Sequence, residues 1–271
     1  MSRKRHSVTP SLPITAAFDR SVSVYSERRP TSARFDASLG ELVRLLRGNV
    51  TAVPILDRGE HLVGVVSRTD LAVLVAENAR LVEDLVDVPR CFAGEIMTTD
   101  PVTVPFTATL RMAARAMAAH AIHQAYVVDE HDLVGVVTAM DIVAAVRDAG
   151  LNAPLSTIAT SCRRTIDRAD TISVALDALR LASNGVLIVT ADDRPVGTFT
   201  QIEALASRGL PPQTRIEDLF EPTLLCLDAS APLHKAASHM VRFDAQRIIS
   251  CVDRSPAGIA TTLDFVRYVA W

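Results

Sequence analysis

The sequence predicts an α+β protein of four β-α-β-β-α units paired two by two, and three observations carry that prediction. A Gly, a Ser or Thr three residues later, and an acid three later again recur four times: Gly64-Val-Val-Ser-Arg-Thr-Asp70, Gly135-Val-Val-Thr-Ala-Met-Asp141, Gly197-Thr-Phe-Thr-Gln-Ile-Glu203 and Gly258-Ile-Ala-Thr-Thr-Leu-Asp264. The intervals of 71, 62 and 61 residues mark an internal repeat. Before each signature, short unbroken apolar runs follow a stretch with apolar residues at helical spacing. A unit of about 55 residues, with three short strands and two helices, buries too little surface to stand alone, so four in a row imply two pairs.

Composition agrees with packed cores in a soluble chain. Of 271 residues, 49% are apolar and 22% charged, while aromatics are only 4%, so Val, Ile, Leu and Ala must fill those cores. The net charge of −3 offers no basic face for nucleic acid or a membrane surface. Cys91, Cys162, Cys226 and Cys251 stand far apart without a C-x-x-C pair, which reads as reduced thiols rather than a disulfide framework or zinc site. No apolar run is long enough to span a membrane, and Arg3-Lys4-Arg5 lacks the apolar segment of a signal peptide, so a cytoplasmic location is expected.

Taken in order, residues 1–20 read as a flexible tail with Pro10 and Pro13. The first repeat, 21–90 with its linker, opens on a strand at Val22 and Val24 that Arg29-Pro30-Thr31 breaks. Ser38 caps a helix with Leu39, Leu42, Val43, Leu45 and Leu46 on one face, and Gly48-Asn49 stops it. Strands at Ala52–Leu56 and Leu62–Val66 flank a turn at 57–60, and a helix from Thr69 closes the unit, with residues 80–92 leading out of it.

The second repeat, 91–150, has a lead-in and strand over 95–104, Thr109 as cap, a buried face of Leu110, Ala113, Ala114 and Met117, and a strand at Ala125–Val128. The third, 151–210, uses Thr171 as cap before Ile172, Ala175, Leu176 and Leu179, then strands at Val186–Val189 and Pro195–Phe199. Leu210-Pro211-Pro212 joins it to the fourth, 211–271, where Pro232 opens a helix through Leu233, Ala236, Ala237 and Met240. Strands at Ile248–Val252 and Ala257–Ala260 and a terminal helix finish the chain.

Taken alone, Ser67-x-x-Asp70 is a helix-capping box. The same geometry can serve a ligand, because a helix N-terminus attracts phosphate and an acid in its first turn can accept from two ribose hydroxyls. The signature Gly leaves room for a ligand or a neighbouring backbone.

This order of elements, closed each time by Gly-x-x-Ser/Thr-x-x-Asp, resembles the CBS-domain family, in which two consecutive repeats form a Bateman module. The resemblance covers residues 20–271 and is clearest in the second repeat, from Ile96-Met-Thr-Thr-Asp-Pro-Val-Thr-Val104 through Ala125-Tyr-Val-Val-Asp129 to Asp141. It implies two tandem modules with three-stranded sheets covered by helices, and an adenosine nucleotide held between paired repeats. One implied pocket combines Ser67, Arg68 and Asp70 with Thr98, Val102, Ile122 and His123. Its reciprocal combines Thr138 and Asp141 with Thr31, Val50 and Thr51. In the second module Thr261 and Asp264 face Asn184 and Gly185, while Thr200, with Gln246 and Arg247, is followed by Glu203 in place of Asp. His123 has two readings, phosphate contact or capping of helix carbonyls; His120 reads as structural.

The implied function is regulatory: binding of AMP, ADP, ATP or a related adenosyl ligand alters how the chain meets a protein target, with no cofactor required. The repeats take up the whole length, and the signature acids have no histidine partner or Gly-rich phosphate loop, so no enzyme is expected. His234 and His239 share a helix without a third ligand, so no metal site is expected. A structural module acting by assembly with empty pockets is the alternative, and nucleic-acid binding a distant third. The two modules either close on each other within the chain or pair with a second chain as a homodimer.

Overall fold

The computed structural model describes residues 14–271 apart from 29, 47–49, 78–90, 131, 162–164, 183–184, 208, 221, 223 and 254. The basic Arg3-Lys4-Arg5, the breaking Arg29, the helix stop at 48–49, most of the 80–92 linker, Cys162 and Asn184 therefore lie outside the described residues.

The first repeat contains α1 (Ile14–Phe18), one 3-10 turn (Val22–Val24), β1 (Glu27–Arg28), β2 (Ala33–Arg34), α2 (Leu39–Leu45), β3 (Ala52–Leu56), β4 (Leu62–Ser67) and α3 (Arg68–Glu77). The second contains α4 (Ala93–Ile96), β5 (Thr98–Thr99), β6 (Thr103–Pro105), α5 (Leu110–His120), β7 (Gln124–Asp129), β8 (Asp132–Thr138) and α6 (Ala139–Asp148). The third has a 3-10 turn (Leu155–Thr157), β9 (Thr160–Ser161), β10 (Thr165–Asp167), α7 (Ile172–Arg180), β11 (Val186–Ala191), β12 (Arg194–Thr200) and α8 (Gln201–Ala206). The fourth has β13 (Cys226–Asp228), α9 (Leu233–Phe243), β14 (Arg247–Val252), β15 (Ser255–Thr261) and α10 (Thr262–Ala270).

Local chemistry sets these boundaries. Ser38, Thr109 and Thr171 sit in extended backbone, and their side chains accept from the amides of Glu41, Met112 and Val174. Helix α5 ends at Ala121 and α9 at Asp244, both in the left-handed conformation at φ 52° and 50°. In every repeat a short strand pairs in parallel with the first strand of an antiparallel hairpin: β2 with β3, β6 with β7, β10 with β11, and β13 with β14. A helix makes each parallel crossover, as such a connection requires.

Three of the four sheets have a fourth strand beyond the three expected, because lead-in segments are exchanged, while the sheet of the third repeat keeps three, β10-β11-β12. β1 of the first repeat pairs with β8 of the second, and β5 of the second pairs with β4 of the first. In the second module, β9 of the third repeat pairs with β15 of the fourth. The segment before the fourth repeat crosses likewise: Ile172 N–H donates to Thr214 O and Ser173 N–H to Pro212 O. This exchange accounts for two of the signature glycines, Gly64 and Gly258. A Cβ on Gly258 would lie 2.9 Å from Thr160 O, and one on Gly64 2.4 Å from Met97 Sδ and 3.0 Å from Thr98 O, so the exchanged segment occupies the space.

The end of the expected tail, from Ile14, and the entry strand are corrected in the same region. Ile14–Phe18 is helical, Phe18 is buried, and the Tyr25 hydroxyl donates to Ala17 O. Val22 and Val24 form a 3-10 turn rather than a strand, because Val22 N–H donates to Ala108 O and anchors the segment on the second repeat. The helix expected from Thr69 begins at Arg68.

The largest core joins the two modules within one chain. Helices α5 and α6 pack against α9 and α10 through Leu110, Met117, Ile142, Val146, Leu233, Met240, Phe265 and Val269, with alanines between them. Small side chains at Ala113, Ala114, Ala145, Ala236 and Ala237 let the helices approach closely, while each buried Leu, Ile, Met or Phe contributes about 1.5–3 kcal/mol. Arg111 and Arg115 of α5 donate to the carbonyls of Val269 and Ala270, satisfying the last turn of α10. Smaller cores fill the first repeat around Leu42, Val53 and Ile55, and the third around Leu187, Val189 and Phe199.

Cys226 and Cys251 are not far apart in space: they lie on the neighbouring strands β13 and β14 as free thiols. Burial and the adjoining Cys251 push the Cys226 thiol up to about 11. No helix among the described residues is long and apolar enough to cross a membrane.

A candidate ligand site between the first two repeats

In all four signatures the acid accepts from both the backbone N–H and the hydroxyl of the Ser or Thr three residues before it. Thr138 N–H and Oγ1–H both donate to Asp141 Oδ2, at 2.7 and 2.6 Å, and Asp141 N–H donates back to Thr138 Oγ1. Ser67 and Asp70 repeat this at 2.7 and 2.7 Å, and Thr261 and Asp264 at 2.8 and 2.8 Å. Glu203 accepts from Thr200 N–H and Oγ1–H at 2.7 and 2.5 Å, so its extra methylene is absorbed without loss of these two bonds. Each box holds one carboxylate oxygen in a fixed direction at the start of a helix.

Beside the Thr138 box lies a cavity of about 320 Å³, at the small end of the range for ligand pockets. The first repeat supplies Pro30, Thr31, Val50, Thr51, Ala52 and Pro54. The second supplies His123, Gln124, Tyr126, Val136 and the helix opening Thr138, Ala139 and Met140. Two residues of the fourth repeat, Asp244 and Gln246, also line it.

Gln124 holds the two repeats together at this wall. Its Nε2 donates to the Tyr126 hydroxyl at 2.5 Å and to Ala52 O at 3.4 Å, and its Oε1 accepts from Thr51 Oγ1 at 3.3 Å. Burial pushes the Tyr126 phenol far above its usual value, and the bond with Gln124 offsets only part of that shift. His123 points toward the fourth repeat, with Nδ1 3.2 Å from Thr262 Oγ1. Burial first, then the positive charges of Arg247 and Arg267, lower its pKa, so the imidazole is held neutral.

Of the residues expected in the reciprocal pocket, Thr31, Val50, Thr51 and Thr138 line this cavity, and Asp141 anchors Thr138 at its edge. His123, expected with Ser67, lines this cavity instead, because the packing of α5 and α6 on α9 and α10 turns it to Thr262. The rest of the first expected pocket does not line it. Ser67 caps α3 through Asp70, Arg68 donates from Nε to Leu46 O, and Thr98 pairs with Val65 in the exchanged strand. Val102 and Ile122 pack on the large core, and Val102 O accepts from Tyr126 N–H.

In the second module Asp264 borders a different, open groove of about 620 Å³ together with Arg267, Arg111, Phe18 and Tyr268. Its Oδ1 accepts from Arg267 Nη1 at 3.1 Å, while Thr261 donates to its Oδ2 at the opening of α10 and does not line the groove. Gln246, expected near Thr200, belongs to the first-module cavity. His234 Nδ1 lies 3.0 Å from Leu151 O, and His239 stacks on Phe243. No group of three His, Cys, Asp or Glu able to hold a metal occurs among the described residues.

Gln124, Tyr126 and Asp244 were not expected at a site. Tyr126 and Gln124 could be found from their place beside His123 on β7, whereas Asp244 enters only through the packing of the fourth repeat on the second.

The CBS domain family matches residues 22–77 and 93–148. No curated protein matches the sequence. The crystal structure of protein MJ1225 from Methanocaldococcus jannaschii, proposed as an archaeal homologue of γ-AMPK, superposes with a TM-score of 0.72 at 16% identity over 92% of this chain and 99% of its own. An uncharacterised conserved protein from Pyrococcus horikoshii reaches 0.65 at 16% identity over 92% of this chain and 100% of its own. Both likenesses run through the second half, so all four repeats share one fold.

Proposed function

Residues 22–77 and 93–148 are CBS domains, and on that premise we propose that this chain is a regulatory protein that binds an adenosine nucleotide between its first two repeats. The observation that carries this reading is the cavity of about 320 Å³ between Thr31, Val50 and Thr51 of one repeat and Thr138 of the other. Val50, Ala52, Pro54 and Val136 give it small apolar surfaces suited to a purine face. The opening of α6 brings a helix N-terminus to the wall at Thr138, Ala139 and Met140, with the oriented Asp141 carboxylate at the edge, where a ribose diol would sit. A ligand bound there changes the balance between arrangements of the two repeats, and so the surface offered to a protein target, only as far as it prefers one of them.

The second module supports the other reading, assembly without a ligand. Asp264 Oδ1 is taken by Arg267, and the acid at Thr200 is Glu203. Titration calorimetry with AMP, ADP, ATP and S-adenosylmethionine tests the proposal. Binding of one of them at one site per chain is expected, and absence of heat for all four at millimolar concentration overturns it.

A further inference from the structure

Tyr126 brings to the wall of the first-module cavity a hydroxyl whose own proton is uncommitted, and we infer that this O–H donates to a ring nitrogen of the nucleobase and so selects the base. The inference rests on the nucleotide reading above and adds the residue that tells one base edge from another. The amide of Gln124 fixes the direction of the bond. Ala52 O can only accept, so the Gln124 atom that faces it at 3.4 Å is Nε2, and the same Nε2 meets the Tyr126 oxygen at 2.5 Å. Gln124 Oε1 turns the other way and accepts from Thr51 Oγ1 at 3.3 Å. The Tyr126 oxygen therefore accepts, and its proton meets no acceptor among the described residues.

The register puts this hydroxyl where a base would lie. Tyr126 pairs with Val136 on β8, two residues before Thr138, so the phenol stands beside Val136 and about 7 Å along the strand from the opening of α6. A base joined to a sugar at that opening reaches such a distance. In the other three hairpins the same register position, opposite the residue two before the signature hydroxyl, is apolar: Pro54, Ile188 and Ile249. Ile188 and Ile249 are fully buried in one cluster with Val186 and Ile259, so side chains fill that place in the second module. Tyr126, 2% exposed, is a polar tip held where the fold elsewhere packs apolar side chains. Burial keeps the phenol protonated and therefore a donor.

Calorimetry on the full chain with AMP and its 1-deaza, 3-deaza and 7-deaza analogues tests this, because each analogue replaces one ring nitrogen by C–H. One analogue is expected to bind the unaltered chain about tenfold more weakly than AMP, since its C–H leaves the buried phenol proton without an acceptor. Tyr126→Phe is expected to bind AMP about two- to tenfold more weakly and to bind AMP and that analogue alike, whereas a merely structural tyrosine would leave the preference intact. Equal affinity of the unaltered chain for AMP and all three analogues overturns the inference whatever the stability of the variant. A set of preferences that Tyr126→Phe leaves unchanged overturns it as well. Failure of AMP to bind also overturns it, and the nucleotide reading falls with it only if ADP, ATP and S-adenosylmethionine give no heat either.

Discussion

His123 of the second repeat and Thr262 of the fourth meet across the seam between the modules, imidazole Nδ1 to hydroxyl Oγ1 at 3.2 Å. The contact joins the edge of the candidate ligand cavity to the first turn of the last helix. It also places a titratable ring next to two arginines, Arg247 and Arg267, and that has a consequence for stability.

The pKa of His123 is lowered from 6.5, by burial foremost and by the two arginines, so the unfolded chain binds this proton more readily than the folded one. The contribution of the neutral ring is complete above pH 6.5 and is lost as pH falls from 6.5 through the lower folded value. Urea unfolding between pH 7.5 and about 5 should show this slope, and His123→Gln should flatten it.

Loss of either first-module acid removes a cap, but only one borders the cavity. Asp70→Ala and Asp141→Ala should each cost about 0.5–2 kcal/mol in chemical denaturation. Calorimetry should show AMP affinity falling more for Asp141→Ala, whose partner Thr138 lines the cavity. Equal losses of affinity would place the ligand elsewhere.

The seam should bind the modules into one cooperative unit. Met240→Ala, at a fully buried position, is expected to cost about 2–5 kcal/mol. Arg111→Ala and Arg115→Ala together remove the bonds to Val269 O and Ala270 O and should let the second module melt first. Scanning calorimetry checks this: a single transition in the double variant would mean that helix packing alone couples the modules.

Gly258→Ala is expected to be more disruptive than its size suggests, since its Cβ would lie 2.9 Å from Thr160 O in the exchanged strand. The cost should be about 1–3 kcal/mol. Amide exchange should show faster opening at Thr160 and Ser161, whose strand pairs with Gly258 and Ile259.

Tyr126→Phe should cost about 1–3 kcal/mol, because the Gln124 amide loses a buried acceptor. Absorbance titration should show one tyrosine that stays protonated after the others ionise, and the variant should lack it, since burial raises the Tyr126 pKa.

What could be read along the chain was local in space as well as in sequence. The caps Ser38, Thr109 and Thr171 bond to amides three residues away, and the four signature boxes close over the same distance. Their residue types therefore carry the geometry with them. The paired strands were legible for a related reason: unbroken apolar runs must be covered, and a turn of a few residues joins each pair. His123 shows the limit. Its place just before β7 was evident from its position next to Gln124, but Arg247 and Thr262, which set its surroundings, lie more than 120 positions down the chain.

The sequence by itself determined the repeat, its order of strands and helices, and the capped helix openings, because each follows from hydrogen bonds and apolar spacing within one unit. Only the tertiary structure decided that lead-in segments are exchanged between repeats, that α5 and α6 pack on α9 and α10 in the same chain, and that Gln246 closes the first-module cavity. The helix packing depends on how closely alanine-lined faces fit and the exchange on which strand edges meet, each a property of two surfaces together that neither stretch of sequence carries alone.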